Sequence, residues 1–403
     1  MAVMQAERVD RRSRMNVARL AAAQALAGAN ASVIYATGAI IGSTLAPSPA
    51  MATVPISVFV VGMAIGTLPA GWLARVHGRR AAFLAGAGCG CLAGLMGALA
   101  LVLQSFLAFC LATLFAGFYG AVVQSFRFAA ADGASAAFRP RAVSWVMAGG
   151  VFAGVLGPQL VTWTMELWSP HVFVLSYLAQ AGVAVIAMAV LAGVDLPALA
   201  KADVARGRPL REIIRQQGFQ VAVVCGVVSY MLMNLLMTSA PLAMRMCGLP
   251  LASSNLAIEW HVVAMYAPSF FTGSLVARFG ARRVAATGLV LLAGAGVCGL
   301  AGITTAHFVV ALALLGLGWN FAFVGASTLV LEAHRPEERT WVQSFNDFLV
   351  FGTMAVGSFA SGGLLTGFGW AAVNWVVFPP VLAALLFLLL SRTGLQASRS
   401  VAR

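Results

Sequence analysis

Methionine, histidine and cysteine residues cluster in one hydrophobic region of this sequence, and these side chains can bind soft metal ions. Met233 and Met237 are four residues apart, as are His261 and Met265 further along the chain. Side chains four apart on an α-helix lie on one face, separated by about 6 Å along the axis. Thioether sulfur suits Cu(I) better than Mg or Ca, and neutral imidazole adds a stronger ligand. The spacing therefore predicts two pairs of metal ligands on consecutive helices.

Four further sulfur side chains flank these pairs. They are Cys225, Met244, Met246 and Cys247. One interpretation makes them a relay that passes a metal ion from one membrane surface to the other. The alternative is packing, since methionine is an adaptable filler of apolar cores and a buried histidine is often held by a structural hydrogen bond.

The elements that would position these residues are membrane-spanning helices. The chain has 403 residues, of which 61% are hydrophobic and only 9% charged, whereas soluble domains are about 25% charged. Apolar runs long enough to cross a bilayer recur along the chain, and in lipid a helix satisfies its own backbone. We expect an all-α membrane protein with twelve transmembrane helices in two six-helix bundles. The predicted spans are 17–45, 51–74, 81–102, 105–129, 141–164, 170–193, 217–241, 253–276, 284–303, 307–331, 341–366 and 370–391.

The basic residues indicate the orientation. Of the 25 Lys and Arg residues, 24 lie in the termini or in alternate connections, and Arg245 is the exception. Because cytoplasmic loops are enriched in basic residues, both ends should be cytoplasmic. This distribution explains the net charge of +13 without a nucleic-acid partner. The predicted organisation is a cytoplasmic N-terminus (1–16), a first bundle (17–193), a cytoplasmic linker (194–216), a second bundle (217–391) and a cytoplasmic C-terminus (392–403).

The two bundles resemble each other in sequence. The segment GWLARVHGRR at 71–80 returns as GSLVARFGARR at 273–283, which is typical of transporters built from repeated units. The first copy resembles the loop signature of the major facilitator superfamily. Its matching positions are Gly71, Leu73, Gly78, Arg79 and Arg80. Arg75 stands where that family usually has an acid, so the usual role of that acid is not transferred.

The two pairs of ligands lie at matching depth. Met233 and His261 are each eight residues from the predicted outer end of their span, or about 12 Å. They could therefore meet near the middle of the membrane, where transporters bind their substrates. Asp347, two turns into span 11, is either a proton-coupling or gating acid or the partner of a cytoplasmic arginine.

The four residues on spans 7 and 8 also resemble the pattern of the CcoA-type copper importers, a bacterial branch of the superfamily. The resemblance implies an inner-membrane protein that imports copper as Cu(I) by alternating access and supplies it to haem–copper oxidases. It implies that Met233, Met237, His261 and Met265 bind the ion, with help from Cys225 and Cys247. Copper is then the transported substrate, with no permanent cofactor and no enzymatic activity. Periplasmic or cytoplasmic copper-handling proteins would be the partners.

Two other functions stay open. The segment GGVFAGVLGP at 149–158 partly matches an antiporter motif, and together with Asp347 it would fit a proton-coupled exporter of small organic compounds. A metal sensor that does not transport is the other alternative, although no output domain is recognisable. No nucleotide-binding motif of the type GxxxxGK[ST] occurs, which argues against an ATP-driven pump.

Overall fold

In the computed structural model, which describes residues 2–48, 51–196 and 207–391, helices make up nearly all of the regular structure. We keep the predicted span numbers for the observed helices. Spans 1 to 6 contain Ala2–Leu45, Val54–His77, Arg79–Val102, Phe106–Gln124 with Phe126–Asp132, Arg139–Thr164 and Val174–Ala192. After a short helix at Leu210–Ile214, spans 7 to 12 contain Gln217–Met246, Leu251–Tyr266 with Ser269–Phe279, Ala281–Ala301, Thr305–Ala333, Arg339–Trp375 and Phe378–Leu390. The predicted all-α membrane fold is confirmed.

The helices extend beyond or bend within several predicted spans. The first helix begins at Ala2, ahead of the predicted span 17–45, because its N-terminal part is rich in good helix formers and has no proline. Span 8 bends by 42° between Tyr266 and Ser269, where Pro268 cannot donate a backbone hydrogen bond. The helical backbone breaks at Gly369, which has a φ of 80°, and this residue lies in the predicted connection between spans 11 and 12.

Ten helices in the described part of the chain are long and apolar enough to cross a membrane, and the bent span 8 raises this number to eleven. The beginning of span 11 is less apolar because it carries Gln343, Asn346 and Asp347. The predicted number of twelve spans therefore stays a prediction. So do the predicted domain boundaries, and the C-terminus at 392–403 and linker residues 197–206 lie outside the described residues.

The internal repeat is visible in the backbone. Gly78 between spans 2 and 3 has a φ of 86°, and Gly280 between spans 8 and 9 has a φ of 87°. Side chains strongly disfavour this conformation, so glycine allows the same tight connection in both copies. Spans 2, 4 and 10 finish at the same end of the molecule, which we call the basic end. The other end is called the opposite end.

The two halves meet along two pairs of spans, namely span 2 with span 11 and span 5 with span 8. A glycine permits close approach in each pair. A Cβ atom at Gly71 would collide with the side chain of Ser344 on span 11. One at Gly273 would lie 2.5 Å from the carbonyl oxygen of Pro140 on span 5. The glycine that opens each copy of the repeated segment thus touches the other half.

The linker is fastened to the second half at the basic end. Arg208 donates from Nε to Glu338 Oε1 at 2.7 Å and from Nη2 to Oε2 at 2.8 Å. The backbone N–H groups of Arg208 and Arg335 also donate to this carboxylate. Burial alone would raise the pKa of Glu338, but these four hydrogen bonds lower it to about 2. The linker is therefore tied to the turn between spans 10 and 11.

Candidate functional site

A cavity between the two halves is the candidate site. Tyr35 on span 1 is 38% exposed, as expected for a side chain that borders open space between the halves. It lies close enough to Tyr266 on span 8 and Tyr230 on span 7 to interact electrostatically with both. The cavity is thus lined by spans from both halves, as a site for alternating access requires.

An aromatic cluster forms the wall of the cavity in the second half. Tyr230 meets the rings of Trp319, Phe323 and Phe351 edge to face, with centroids 5.1 to 5.4 Å apart. Trp319 stacks on Phe323 at 5.2 Å and meets the edge of Tyr266 at 5.7 Å. Trp319, Phe323 and Phe351 are buried behind Tyr230, whereas Tyr266 is partly exposed. The cluster therefore holds the two tyrosines rigidly, and amphipathic rings of this kind suit a planar aromatic ligand.

Polar contacts between the halves close the cavity on the side of the basic end. Gln124 on span 4 donates from Nε2 to the hydroxyl of Tyr230 at 3.2 Å. One turn further, Arg127 donates from Nε to Ser327 Oγ at 3.1 Å. Its guanidinium also lies 4.3 Å from the ring centre of Phe128 and 4.6 Å from that of Phe323. These contacts form the floor of the cavity.

An ion pair is buried in this floor. Arg127 Nη2 lies 2.5 Å from Asp347 Oδ1, and both side chains are almost fully buried. Of the two roles predicted for Asp347, the structure shows pairing with an arginine. The pair joins span 4 of the first half to span 11 of the second half. A buried pair of this kind is costly to break, since an unpaired charge would remain in an apolar setting.

A second layer lies at the basic end itself. Arg79 donates from Nε to Asp132 Oδ2 at 2.7 Å within the first half, and it also bonds Gln343 of the second half. Arg339 of the second half lies 3.5 Å from the same carboxylate oxygen. Arg79 of the predicted loop motif thus joins the halves, Gly71 and Gly78 provide close packing and a turn, and Arg80 is exposed. The molecule is therefore closed at the basic end.

His261 points toward span 10. Its ring is fully buried, and Nδ1 donates to the carbonyl oxygen of Leu312 at 2.8 Å. Within the described part of the chain, its Nε2 has no hydrogen-bond partner. Span 10 packs along span 7 as well as span 8.

The predicted sulfur ligands are mostly packed in the core. Met233 and Met265 are buried in the main hydrophobic cluster, and Met237 packs against it. Cys225 and Met244 are buried in the same cluster. The predicted relay through these sulfur atoms stays a prediction. Met246 is exposed and Cys247 partly buried at the end of span 7.

The sequence family follows from a comparison with known proteins. A family model described as the Major Facilitator Superfamily matches residues 20–268 and 222–403. The chain belongs to this superfamily. The family and the relatives below are transporters.

Two relatives match nearly the whole chain. The riboflavin transporter RfnT of Brucella anthropi is 45% identical over 381 residues, which cover 94% of this chain and 96% of that protein. An uncharacterised transporter of the superfamily, YddS of Bacillus subtilis, is 31% identical over 392 residues, which cover 91% and 87%.

Solved structures of low sequence identity share the fold. The human organic anion transporter MFSD10 is 16% identical with a TM-score of 0.76, and the match covers 93% of this chain and 99% of that one. A bacterial homologue of the iron transporter ferroportin, in an outward-facing state, is 15% identical with a TM-score of 0.73, and the match covers 93% and 98%.

The prediction of copper import is wrong. The relative at 45% identity carries the name of a riboflavin transporter, so copper as substrate and supply of copper to oxidases are both overturned. The spacing of four residues in Met233/Met237 and His261/Met265 was not specific for metal binding, because the same spacing also occurs where side chains only pack between helices. Whether Met233, Met237, His261 and Met265 can hold a metal ion stays an untested prediction.

Sequence reasoning missed the residues that build the cavity. Arg127 lies within the predicted span 105–129, and a charged residue inside a span is a usable signal. Tyr230, Tyr266 and Trp319 lie on three different spans, and nothing in their local sequence indicates that their rings meet.

Proposed function

We propose that this protein is a secondary transporter that carries riboflavin, or a closely related flavin, into the cell. The observation that supports this most strongly is the 45% identity over 94% of the chain to a protein named as a riboflavin transporter. The aromatic wall supplies an independent physical reason, because the flavin ring is planar and aromatic.

The chemistry of the cavity fits such a ligand. Tyr230 and Tyr266 are held in place by Trp319 behind them, so they can pack against a flat ring with little loss of side-chain entropy. Aromatic contacts of this kind contribute roughly 0.5–1.5 kcal/mol each beyond the area buried. The hydroxyl group of Tyr35 on the opposite wall can bond the sugar-alcohol chain of the ligand. Riboflavin has ring carbonyl groups and a chain of hydroxyl groups, and neutral hydrogen-bonding side chains such as tyrosine suit these groups.

Transport would follow from movement of the two halves. The floor made by Arg127, Asp347 and Gln124 is closed, and the layer around Arg79 and Asp132 closes the basic end. We infer that the basic end is cytoplasmic, on the distribution of Lys and Arg, and that the protein resides in a bacterial inner membrane. The structure would then correspond to an outward-facing state that takes up external substrate. Asp347 would act as the gating acid, since its pair with Arg127 must separate before the substrate can leave inward.

Uptake of labelled riboflavin by bacteria that require external riboflavin would test the proposal. Cells with the wild-type protein should accumulate the label and grow on low riboflavin. Tyr266→Ala should lose most of the uptake, whereas Trp163→Ala should keep it, because Trp163 is 64% exposed on the outside of span 5. Equal uptake with and without the wild-type protein would refute the proposal.

A further inference from the structure

A buried amide on the cavity wall lacks a hydrogen-bond partner. Asn234 lies one turn beyond Tyr230 on span 7, about 6 Å nearer the opposite end. Residues four apart share a helix face, and Tyr230 faces the first half because it bonds Gln124. Asn234 therefore also faces the cavity between the halves.

The surroundings of this amide indicate a place for a ligand. Asn234 is only 6% exposed, and within the described residues its Nδ2 is buried and meets no acceptor. Its Oδ1 makes no hydrogen bond within the described residues either, and it is less completely buried than Nδ2. A buried amide without a partner is costly, and nearly all such groups in proteins are satisfied. A substrate that offers both an acceptor and a donor would satisfy Asn234.

We propose that Asn234 recognises the imide edge of the flavin ring. This inference rests on the proposed function and names the residue that sets its specificity. The edge carries an N–H group between two carbonyl groups. Oδ1 accepts from the ring N–H while Nδ2 donates to a neighbouring carbonyl oxygen, since an asparagine amide provides both roles side by side. The aromatic wall at Tyr230 and Tyr266 holds the face of the same ring.

The consequence is selectivity for flavins with a free imide. A site built to bond an N–H group rejects an analogue that lacks it far more strongly than an apolar pocket rejects an added methyl group. Methylation of the imide nitrogen removes the donor and adds bulk at the amide. Riboflavin and 3-methylriboflavin therefore differ at the imide nitrogen, which is the group that Asn234 would bind.

The test measures the dissociation constants of both flavins from the quenching of their fluorescence by purified protein. We expect the wild type to bind riboflavin at least about tenfold more tightly than 3-methylriboflavin. In Asn234→Leu, which keeps the branched side-chain shape but has no hydrogen-bonding group, riboflavin binding should weaken about tenfold or more. Binding of 3-methylriboflavin should change little, so that the preference disappears. Asn234→Ser, which is small and polar, provides the same comparison if the leucine variant does not fold.

Two results would overturn the inference. An unchanged preference in the variants would show that Asn234 does not read the imide, and an equal loss for both flavins would indicate a purely structural role. A wild-type protein that binds neither flavin would instead refute the proposed function itself, so the two failures are distinguishable.

Discussion

At the scale of single residues, the same side-chain types can serve chemistry or packing, and only their direction decides between them. The sequence correctly indicated that Asp347 is exceptional, because an acid within a span needs a partner. It could not supply Arg127 as that partner, which lies 220 residues away along the chain. For Met233 and Met265 the sequence showed spacing but not surroundings, and the structure places both in the apolar core.

The methionine pair provides a first prediction. Replacing Met233 and Met265 by leucine together should leave riboflavin uptake within about twofold of the wild type, because swaps that conserve volume cost little in a core. The measurement is uptake in cells with expression matched by immunoblot. A large loss of uptake that added copper restores would contradict packing as their role.

Glu338 provides a pH-dependent prediction. Its folded pKa of about 2 lies below the ordinary value of roughly 4.3, so the ionised form stabilises the fold fully above pH 4.3. This contribution should be lost as the pH falls toward 2. Glu338→Gln should lower the free energy of unfolding at pH 7 by about 2 kcal/mol, as for hydrogen bonds to a charged group.

Thermal unfolding of the detergent-solubilised protein at pH 7, 5 and 3 would check this. The difference between wild type and Glu338→Gln should be similar at pH 7 and 5 and clearly smaller at pH 3. The matched control is Glu337→Gln, which changes the neighbouring carboxylate. A difference that stays constant down to pH 3 would show that the hydrogen bonds around Glu338 do not hold its pKa low.

At the scale of elements, hydrophobic runs predict helices well but not where they bend or what they touch. The ends of spans 3, 5 and 10 lie within a few residues of the prediction, because apolar length is a strong signal in membranes. The break at Ser125 was not predicted, because it depends on neighbouring spans rather than on local composition. The break at Gly369 falls in the predicted connection between spans 11 and 12. The repeated segment, in contrast, correctly marked equivalent turns at Gly78 and Gly280.

The contact glycines lead to a prediction about closure. Gly71→Val or Gly273→Val adds atoms where the halves touch at the basic end, and such overpacking costs about 1–3 kcal/mol. This cost destabilises the state in which the basic end is closed. Each variant should therefore populate states with an open basic end and reduce uptake about tenfold. Gly88→Val is the matched control, because a Cβ atom there would meet nothing within 4 Å.

Labelling of a cysteine introduced at Ser125, in a protein without its native cysteines, would measure the opening. Ser125 lines a small pocket at the basic end, separate from the substrate cavity, together with Asp347 and Arg79. A membrane-impermeant maleimide applied from the side of the basic end should label it faster in both glycine variants than in the control. Equal labelling in all three variants would mean that these glycines do not control closure.

At the scale of the whole molecule, duplication and charge distribution predicted the architecture, but the substrate depended on the cavity. Two six-helix units with basic connections at one end suffice to indicate the superfamily. The aromatic wall could not be predicted, since it needs Tyr230, Tyr266 and Trp319 brought together from three spans. The copper prediction was wrong because it depended on which faces of spans 7 and 8 turn toward each other.

The most direct test is flux through the purified protein in proteoliposomes loaded with unlabelled riboflavin. We predict that wild-type protein exchanges external labelled riboflavin in a saturable manner, and that Tyr266→Ala largely abolishes this exchange. No riboflavin exchange by wild-type protein that is correctly folded and reconstituted would contradict the account.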